Sequence, residues 1–212
     1  MKKEVNKKNN KNISNDISKI IDILLRLVII ILIIINLVNG DYDNIGVLVL
    51  TFFLTFYDFI LQKIFKIKLR TPSKIMLSIF IFLAQCLGTT LDFYNIFPWW
   101  DIMLHFSSGI LIYFIAIDII LIICKKNKDV KLNKFIICLF AVCFSLAISN
   151  LWEIFEFSVD NIFNLDTQKT GELVGKLAIK DTMTDLISSL CSTLLCFVIT
   201  YFFGTSKIFD YE

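Results

Sequence analysis

Long apolar runs alternate with short polar linkers along this chain. Six runs come within the roughly 17–25 residues a helix needs to cross a bilayer. They span Ile20–Val38, Ile45–Leu61, Ile75–Phe97, Ile102–Cys124, Phe135–Phe157 and Met183–Phe203. Each is continuous rather than alternating, so the pattern predicts helices and not barrel strands. The expected fold is all-α: a six-transmembrane-helix bundle forming a single membrane domain over residues 18–206. A disordered basic tail is expected at 1–17, where Lys and Asn dominate, and a short tail at 207–212.

The linkers set an orientation. The leading segment, the second linker, the fourth linker and Lys207 together hold 17 Lys and Arg residues, whereas the alternate linkers hold only Lys169, Lys176 and Lys180. That asymmetry predicts both termini on the cytoplasmic side of a bacterial cell membrane (N-in/C-in). The first run is longer than a signal-peptide core, so it reads as a retained span. The linker 158–182 is too short for a domain and is expected to form a surface or re-entrant helix.

Composition adds little to this picture. Of 212 residues 57% are hydrophobic, above the usual soluble share. Mean hydropathy is +0.74. The six cysteines form no CxxC pair and no Cys–His metal spacing. They read as small buried apolar side chains, with a chance pair or a lipidated Cys124 at the inner surface as the lesser alternative. The basic linkers are explained by topology and anionic lipid, so no nucleic-acid partner is expected.

The acidic residues change the picture. Ionisable residues are rare in membrane spans unless they serve a function. On the predicted topology Asp92, Asp101, His105, Glu153, Glu156, Asp160, Asp181 and Asp185 share the outer membrane face. Asp101/His105, Glu156/Asp160 and Asp181/Asp185 are i,i+4, and Glu153/Glu156 are i,i+3, so each set lies on one helix face. Those faces continue with Ser108, Gly109, Ser145, Ser149, Asn150, Ser188, Ser189 and Ser192, and small residues mark helix contacts in membranes. The faces are therefore expected to converge.

Converging carboxylates need protons or a cation. An oxygen-rich set with one imidazole suits a divalent metal ion (Mg, Mn, Ca or Zn). The expected metal ligands are Asp101, His105, Glu153, Glu156, Asp181 and Asp185, with Glu153 and Glu156 as catalytic candidates and Asp92 and Asp160 in support. Asp101, Asp181 and Asp185 also suit helix N-termini, which is the structural alternative. Other charges read as structural: Asp22 with Arg26 as an i,i+4 pair, and Asp58 paired with Lys63 or another inner lysine. Asp58 and Asp118 are the only polar hints of a path across the bilayer. Trp99, Trp100 and Trp152 read as interfacial anchors.

The run Asp92-Phe93-Tyr94, then Pro98-Trp99-Trp100-Asp101, Leu104-His105 and Ser108-Gly109, resembles the signature of uncharacterised bacterial YjdF-like "membrane-spanning" proteins. The resemblance continues through Trp152-Glu153-Ile154-Phe155-Glu156-Phe157, Asp160, Gln168 and Asp181–Leu186. It covers about residues 85–195 and implies a six-helix membrane protein with a polar centre. More distantly, the Asp-x-x-x-His spacing followed by Glu and Asp on later helices is similar to the VanZ-like pattern, a group associated with teicoplanin resistance. The second glutamate, Glu156, and the doubled Asp181/Asp185 depart from that pattern, so no resistance role carries over.

Three functions remain open from the sequence, and whether the protein is an enzyme is among the open points. One is a metal-dependent hydrolase or transferase acting on a lipid, lipid-linked or cell-wall precursor. The second is a cation- or proton-coupled transporter, although no internal repeat is visible and the acids lie shallow. The third is an accessory membrane protein in which the cluster only clamps helices. No G-x-S-x-G, H-E-x-x-H or Cys–His arrangement suggests a nucleophilic or zinc-protease mechanism.

Overall fold

The computed structural model describes residues 2–42, 44–127, 130–168 and 175–209, with side chains from Asp16 onward except 206 and 207. Within these residues the chain is helical and has no strand. Five helices are long and apolar enough to cross a membrane, and a bent helix pair makes a sixth candidate. The chain divides into two compact units, 1–93 and 94–212.

In the first unit α1 runs Lys2–Asn39, and its Asp16–Asn39 stretch has the highest mean hydropathy of the candidate spans, 2.9. It stops at Gly40, whose φ of 71° suits the left-handed position that closes a helix. Gly40 N–H donates to Leu37 C=O at 3.3 Å and Asp41 N–H to Asn36 C=O at 3.0 Å, recovering two orphan carbonyls.

The second apolar run is not one straight helix. It forms α2 (Ile45–Leu54) and α3 (Tyr57–Lys63), which meet at 45°. The bend falls at Thr55, whose hydroxyl donates to Phe52 C=O at 2.7 Å in competition with the backbone ladder. Arg26 supports the break: Nε donates to Thr55 Oγ1 at 3.0 Å and Nη2 to Thr55 C=O at 3.1 Å, and the guanidinium lies 4.2 Å from the Phe56 ring centroid.

The third run also ends differently. α4 (Thr71–Ile81) starts with Pro72 in its first turn, where a missing N–H costs nothing. It continues as a π-helix over Phe82–Thr90. Thr89 and Thr90 hydroxyls donate to Ala84 and Gln85 carbonyls, five residues back, at 3.4 and 3.1 Å. The span thus closes at Thr90 rather than Phe97, and Asp92 follows at φ 61°. Leu25, Ile29, Leu48, Ile81 and Cys86 form the unit's apolar core.

The charges of this unit make structural contacts, one of them as expected and one differently. Asp22 accepts from Ser78 and Arg26 turns to Thr55, so the pair within α1 gives way to two links between helices. Asp58 pairs with an inner lysine as expected, Lys74 rather than Lys63, at 2.7 Å.

The second unit holds a short α5 (Phe93–Ile96, begun in the first unit), α6 (Trp100–Lys126), α7 (Lys134–Phe163) and α8 (Lys176–Val198). A π-helical Ile199–Phe203 and a short α9 (Ser206–Phe209) follow. α7 begins where the Asn133 side chain accepts from Ile136 N–H at 2.9 Å, a cap for an orphan donor. Tyr113, Ala116, Ile117 and Leu121 of α6 pack with Ile137 and Ala141 of α7 and Cys196 of α8.

Toward the other end the contact is made by small residues. A Cβ on Gly109 would stand 2.1 Å from Ser192 Oγ and 2.7 Å from Ser189 O, so only glycine allows this approach of α6 to α8. Ser145 Oγ donates to Gly109 C=O at 3.2 Å, and Ser188 Oγ to Ile102 C=O at 2.9 Å. Trp99 and Trp152 are exposed, as anchors would be, but Trp100 turns inward. Cys143 and Cys191 are exposed, against the expectation of burial, whereas Cys86, Cys138 and Cys196 are buried. The centre of the linker 158–182, residues 169–174, lies outside the described residues.

Candidate metal centre

The polar residues of the second unit gather around one imidazole. α6 carries Asp101 and His105 one turn apart, α7 carries Glu153 and Glu156, and α8 carries Asp185. His105 is buried, as are Glu153 (4% exposed) and Asp185 (1%). His105 Nε2 lies 3.7 Å from Asp101 Oδ1 and 3.9 Å from Asp185 Oδ2, and Nδ1 lies 3.6 Å from Glu153 Oε1. Two sets of ligand atoms each fall within 4.8 Å of one another: Asp101, His105 and Asp185, and His105, Glu153 and Glu156. The expected convergence of the three helix faces is therefore present in these five residues.

Two serine hydroxyls hold the backbone of His105. The carbonyl of His105 accepts from Ser108 Oγ at 2.8 Å and from Ser189 Oγ at 3.1 Å. The second bond ties α6 to α8 at the level of the cluster. The serine stripe thus has a local task, holding the helix that bears the imidazole against the helix that bears Asp185.

The cluster is short of donors. Neither oxygen of Asp185 has a hydrogen-bond partner among the described residues, Glu153 has the Thr182 hydroxyl beside it but no well-formed hydrogen bond, and Ser149 Oγ, one turn below Glu153, also has none. Buried polar atoms are nearly always satisfied, so such a concentration calls for an explanation such as an ion. Four carboxylates face one imidazole. Burying that much like charge without compensation is costly.

The spacing fits a metal ion. Two ligand atoms each about 2.1 Å from one ion lie roughly 3–4.2 Å apart, and the three His105 separations fall inside that range. The two sets lie on opposite nitrogens. A neutral imidazole offers one lone pair and one N–H. One nitrogen can therefore ligate while the other donates to the remaining carboxylates, an arrangement that fixes the tautomer and orients the ring.

The other expected residues fall elsewhere. Asp181 sits one turn before Asp185 with a buried unpartnered Oδ2, but it is in neither set. Asp160, 1% exposed, accepts from Thr167 N–H at 2.7 Å, Thr167 Oγ1 at 2.6 Å and Gln168 N–H at 3.2 Å. Its carboxylate holds the turn after α7. Asp92 belongs to the first unit and is exposed. Asp118 is fully buried in α6.

Sequence reasoning overlooked Tyr94 as a site residue. It lies outside the candidate spans, and burial raises its phenol pKa well above the ordinary value. Asp101, Glu156 and Asp185 push it further in the same direction. Tyr94 thus stays a neutral hydroxyl within electrostatic reach of three cluster carboxylates. The signal available was its place in the Asp-Phe-Tyr run before Asp101. Gln168 was likewise seen only as part of a motif.

The family described as "Predicted membrane protein (DUF2238)" matches residues 20–206, which takes in both units. An uncharacterised protein of Thermotoga maritima is 29% identical over 161 residues, covering 73% of this chain and 74% of its own. No solved structure matches the chain.

Proposed function

Given that the chain belongs to the family of predicted membrane proteins DUF2238, we propose that its second unit binds a divalent metal ion and uses it in a hydrolase or transferase reaction. The ion would be held on one side of His105, by Asp101 with Asp185 or by Glu153 with Glu156, while the other set accepts from the imidazole N–H and Asp181 lies next to them. The observation that carries this reading is the pair of buried carboxylates, Glu153 and Asp185, whose four oxygens receive no well-formed hydrogen bond beside a buried imidazole. The oxygen-rich set with one nitrogen favours Mg, Mn or Ca, or a carboxylate-rich Zn site.

A bound ion would supply Lewis-acid polarisation of a phosphoryl or acyl oxygen. The chain's residues do the rest. Whichever of Glu153 and Glu156 is not engaged by the ion accepts a proton from the attacking hydroxyl or water. Tyr94 stays protonated, a neutral hydroxyl in the electrostatic neighbourhood of the carboxylates. The excess of Lys and Arg in alternate linkers supports placing the site at the outer face of a bacterial cell membrane. A lipid, lipid-linked or cell-wall precursor is the substrate class such a location reaches.

The test is elemental analysis of detergent-purified protein beside an Asp101→Ala/His105→Ala variant. The reading predicts a stoichiometric metal in the first and its loss in the second, with both folded. No metal in either, after incubation with Mg, Mn, Ca and Zn, would overturn it and turn attention to protons shared among the carboxylates.

A further inference from the structure

A crevice of about 320 Å³ opens on the second unit between α7 and α8, with Gln168 at one wall. It is small, near the lower end of the roughly 300–1,000 Å³ usual for small-molecule sites. Its floor and its rim differ in chemistry. Inside are Glu153, Gln168 and Thr182. On the rim are Ile154, Phe157, Ile179 and Met183, all exposed and all on helices long and apolar enough to cross a membrane. Exposed apolar side chains on such helices face lipid tails, not water.

The floor has more acceptors than donors. Gln168 is 3% exposed; its Nε2 donates to Thr182 Oγ1 at 2.9 Å, but its Oε1 has no partner. Neither oxygen of Glu153 receives a well-formed hydrogen bond, the Thr182 hydroxyl being the donor beside it. The turn that presents Gln168 is fixed by the three bonds to Asp160, so Oε1 is held in place before any ligand arrives.

We propose that this crevice takes the head of a membrane lipid sideways from the bilayer. The lipid's hydroxyl or ammonium donors meet Gln168 Oε1 and Glu153, and its chains lie over Ile154, Phe157, Ile179 and Met183. Glu153 belongs to both the crevice and the His105 cluster. The lipid therefore arrives where a carboxylate of the metal centre already points. Identifying that lipid as the centre's substrate rests on the metal reading; occupancy of the crevice does not. Lipids with net negative heads are disfavoured beside four carboxylates, so a zwitterionic head with donors fits best.

The test uses the full chain in detergent–lipid micelles and two photoactivatable lipids with the same diazirine-bearing acyl chain. One has a phosphatidylethanolamine head, whose ammonium donates; the other has phosphatidylcholine, whose head has no N–H. Adducts are mapped by peptide mass spectrometry, and Ile20 and Ile23 of α1 serve as exposed apolar controls. The ethanolamine lipid should label the segments around Ile154 and Met183 about tenfold more than the choline lipid, the ratio one hydrogen bond to a charged group carries. The controls should show no preference. Ala178→Phe, which fills the crevice from a buried lining position, should abolish the preference. Met183→Trp on the exposed rim should do the same should the first variant fail to fold.

Equal labelling by the two lipids, or a preference that survives both variants, would overturn the proposal. Metal content measured on the same samples separates the two readings. Metal present without lipid preference leaves the centre and removes the crevice; preference without metal leaves the crevice and removes the centre.

Discussion

The two units place charge inside apolar helices in opposite ways. In the first unit the named ionic groups are matched. Lys74 reaches Asp58 at 2.7 Å, Arg26 donates twice to Thr55, and Asp22 accepts from Ser78, which also meets Tyr57 at 3.0 Å. In the second unit four carboxylates surround one imidazole, and two of them are buried without a well-formed hydrogen bond. Matched polar groups cross-link helices, whereas unmatched ones in low dielectric store free energy that a ligand can release. The contrast separates a structural network from a binding site more sharply than counting acids does.

The comparison can be broken by substitution, and the largest effect falls on metal affinity. Glu153→Gln/Asp185→Asn keeps shape but removes two charges, and affinity should fall by more than about 100-fold, beyond what loss of an outer partner alone costs. Isothermal titration with Mn²⁺ in detergent measures it. Next comes Asp58→Asn in the first unit. It strands the buried Lys74 ammonium and should cost about 1–3 kcal/mol, below the cost for a fully buried pair because Asp58 is 29% exposed. Thermal melting in detergent reads this. The sign reverses at the cluster: Glu153→Gln alone should stabilise metal-free protein by about 1 kcal/mol, because it relieves like charge and adds a donor. A destabilised Glu153→Gln would make the cluster a clamp like that of the first unit.

Packing gives a further effect. Gly109→Ala should cost about 1–3 kcal/mol in the same melting assay, because the added methyl meets the α8 backbone at Ser189. The smallest effect is expected at Tyr94→Phe, which removes one neutral hydroxyl near the carboxylates. It should weaken Mn²⁺ binding by about tenfold or less and leave melting unchanged.

Much of this was legible in the sequence. The runs that became α1, α6, α7 and α8 were readable because hydropathy depends on composition, which a helix of any twist preserves. The break at Thr55 and the π-helix over Phe82–Thr90 were not. Both arise where threonine hydroxyls bond backbone carbonyls, a competition that leaves average hydropathy unchanged. At the site, i,i+3 and i,i+4 spacing with a small-residue face brought Asp101, His105, Glu153, Glu156 and Asp185 together as expected. Asp160 obeys the same spacing, yet its carboxylate is taken up by the turn at Thr167 and Gln168. Periodicity assigns a face but not a partner. Tyr94 escaped because it lies beyond the span, where helical spacing gives no guide.

The central claim is that the unmatched carboxylates around His105 hold a cation. Electron paramagnetic resonance of Mn²⁺ titrated into the purified protein tests it most directly, with Glu153→Gln/Asp185→Asn as reference. The account predicts loss of the free-ion signal up to a stoichiometric point in the native chain and no such loss in the variant. Equal free-ion signals in both, with both proteins folded, would contradict it.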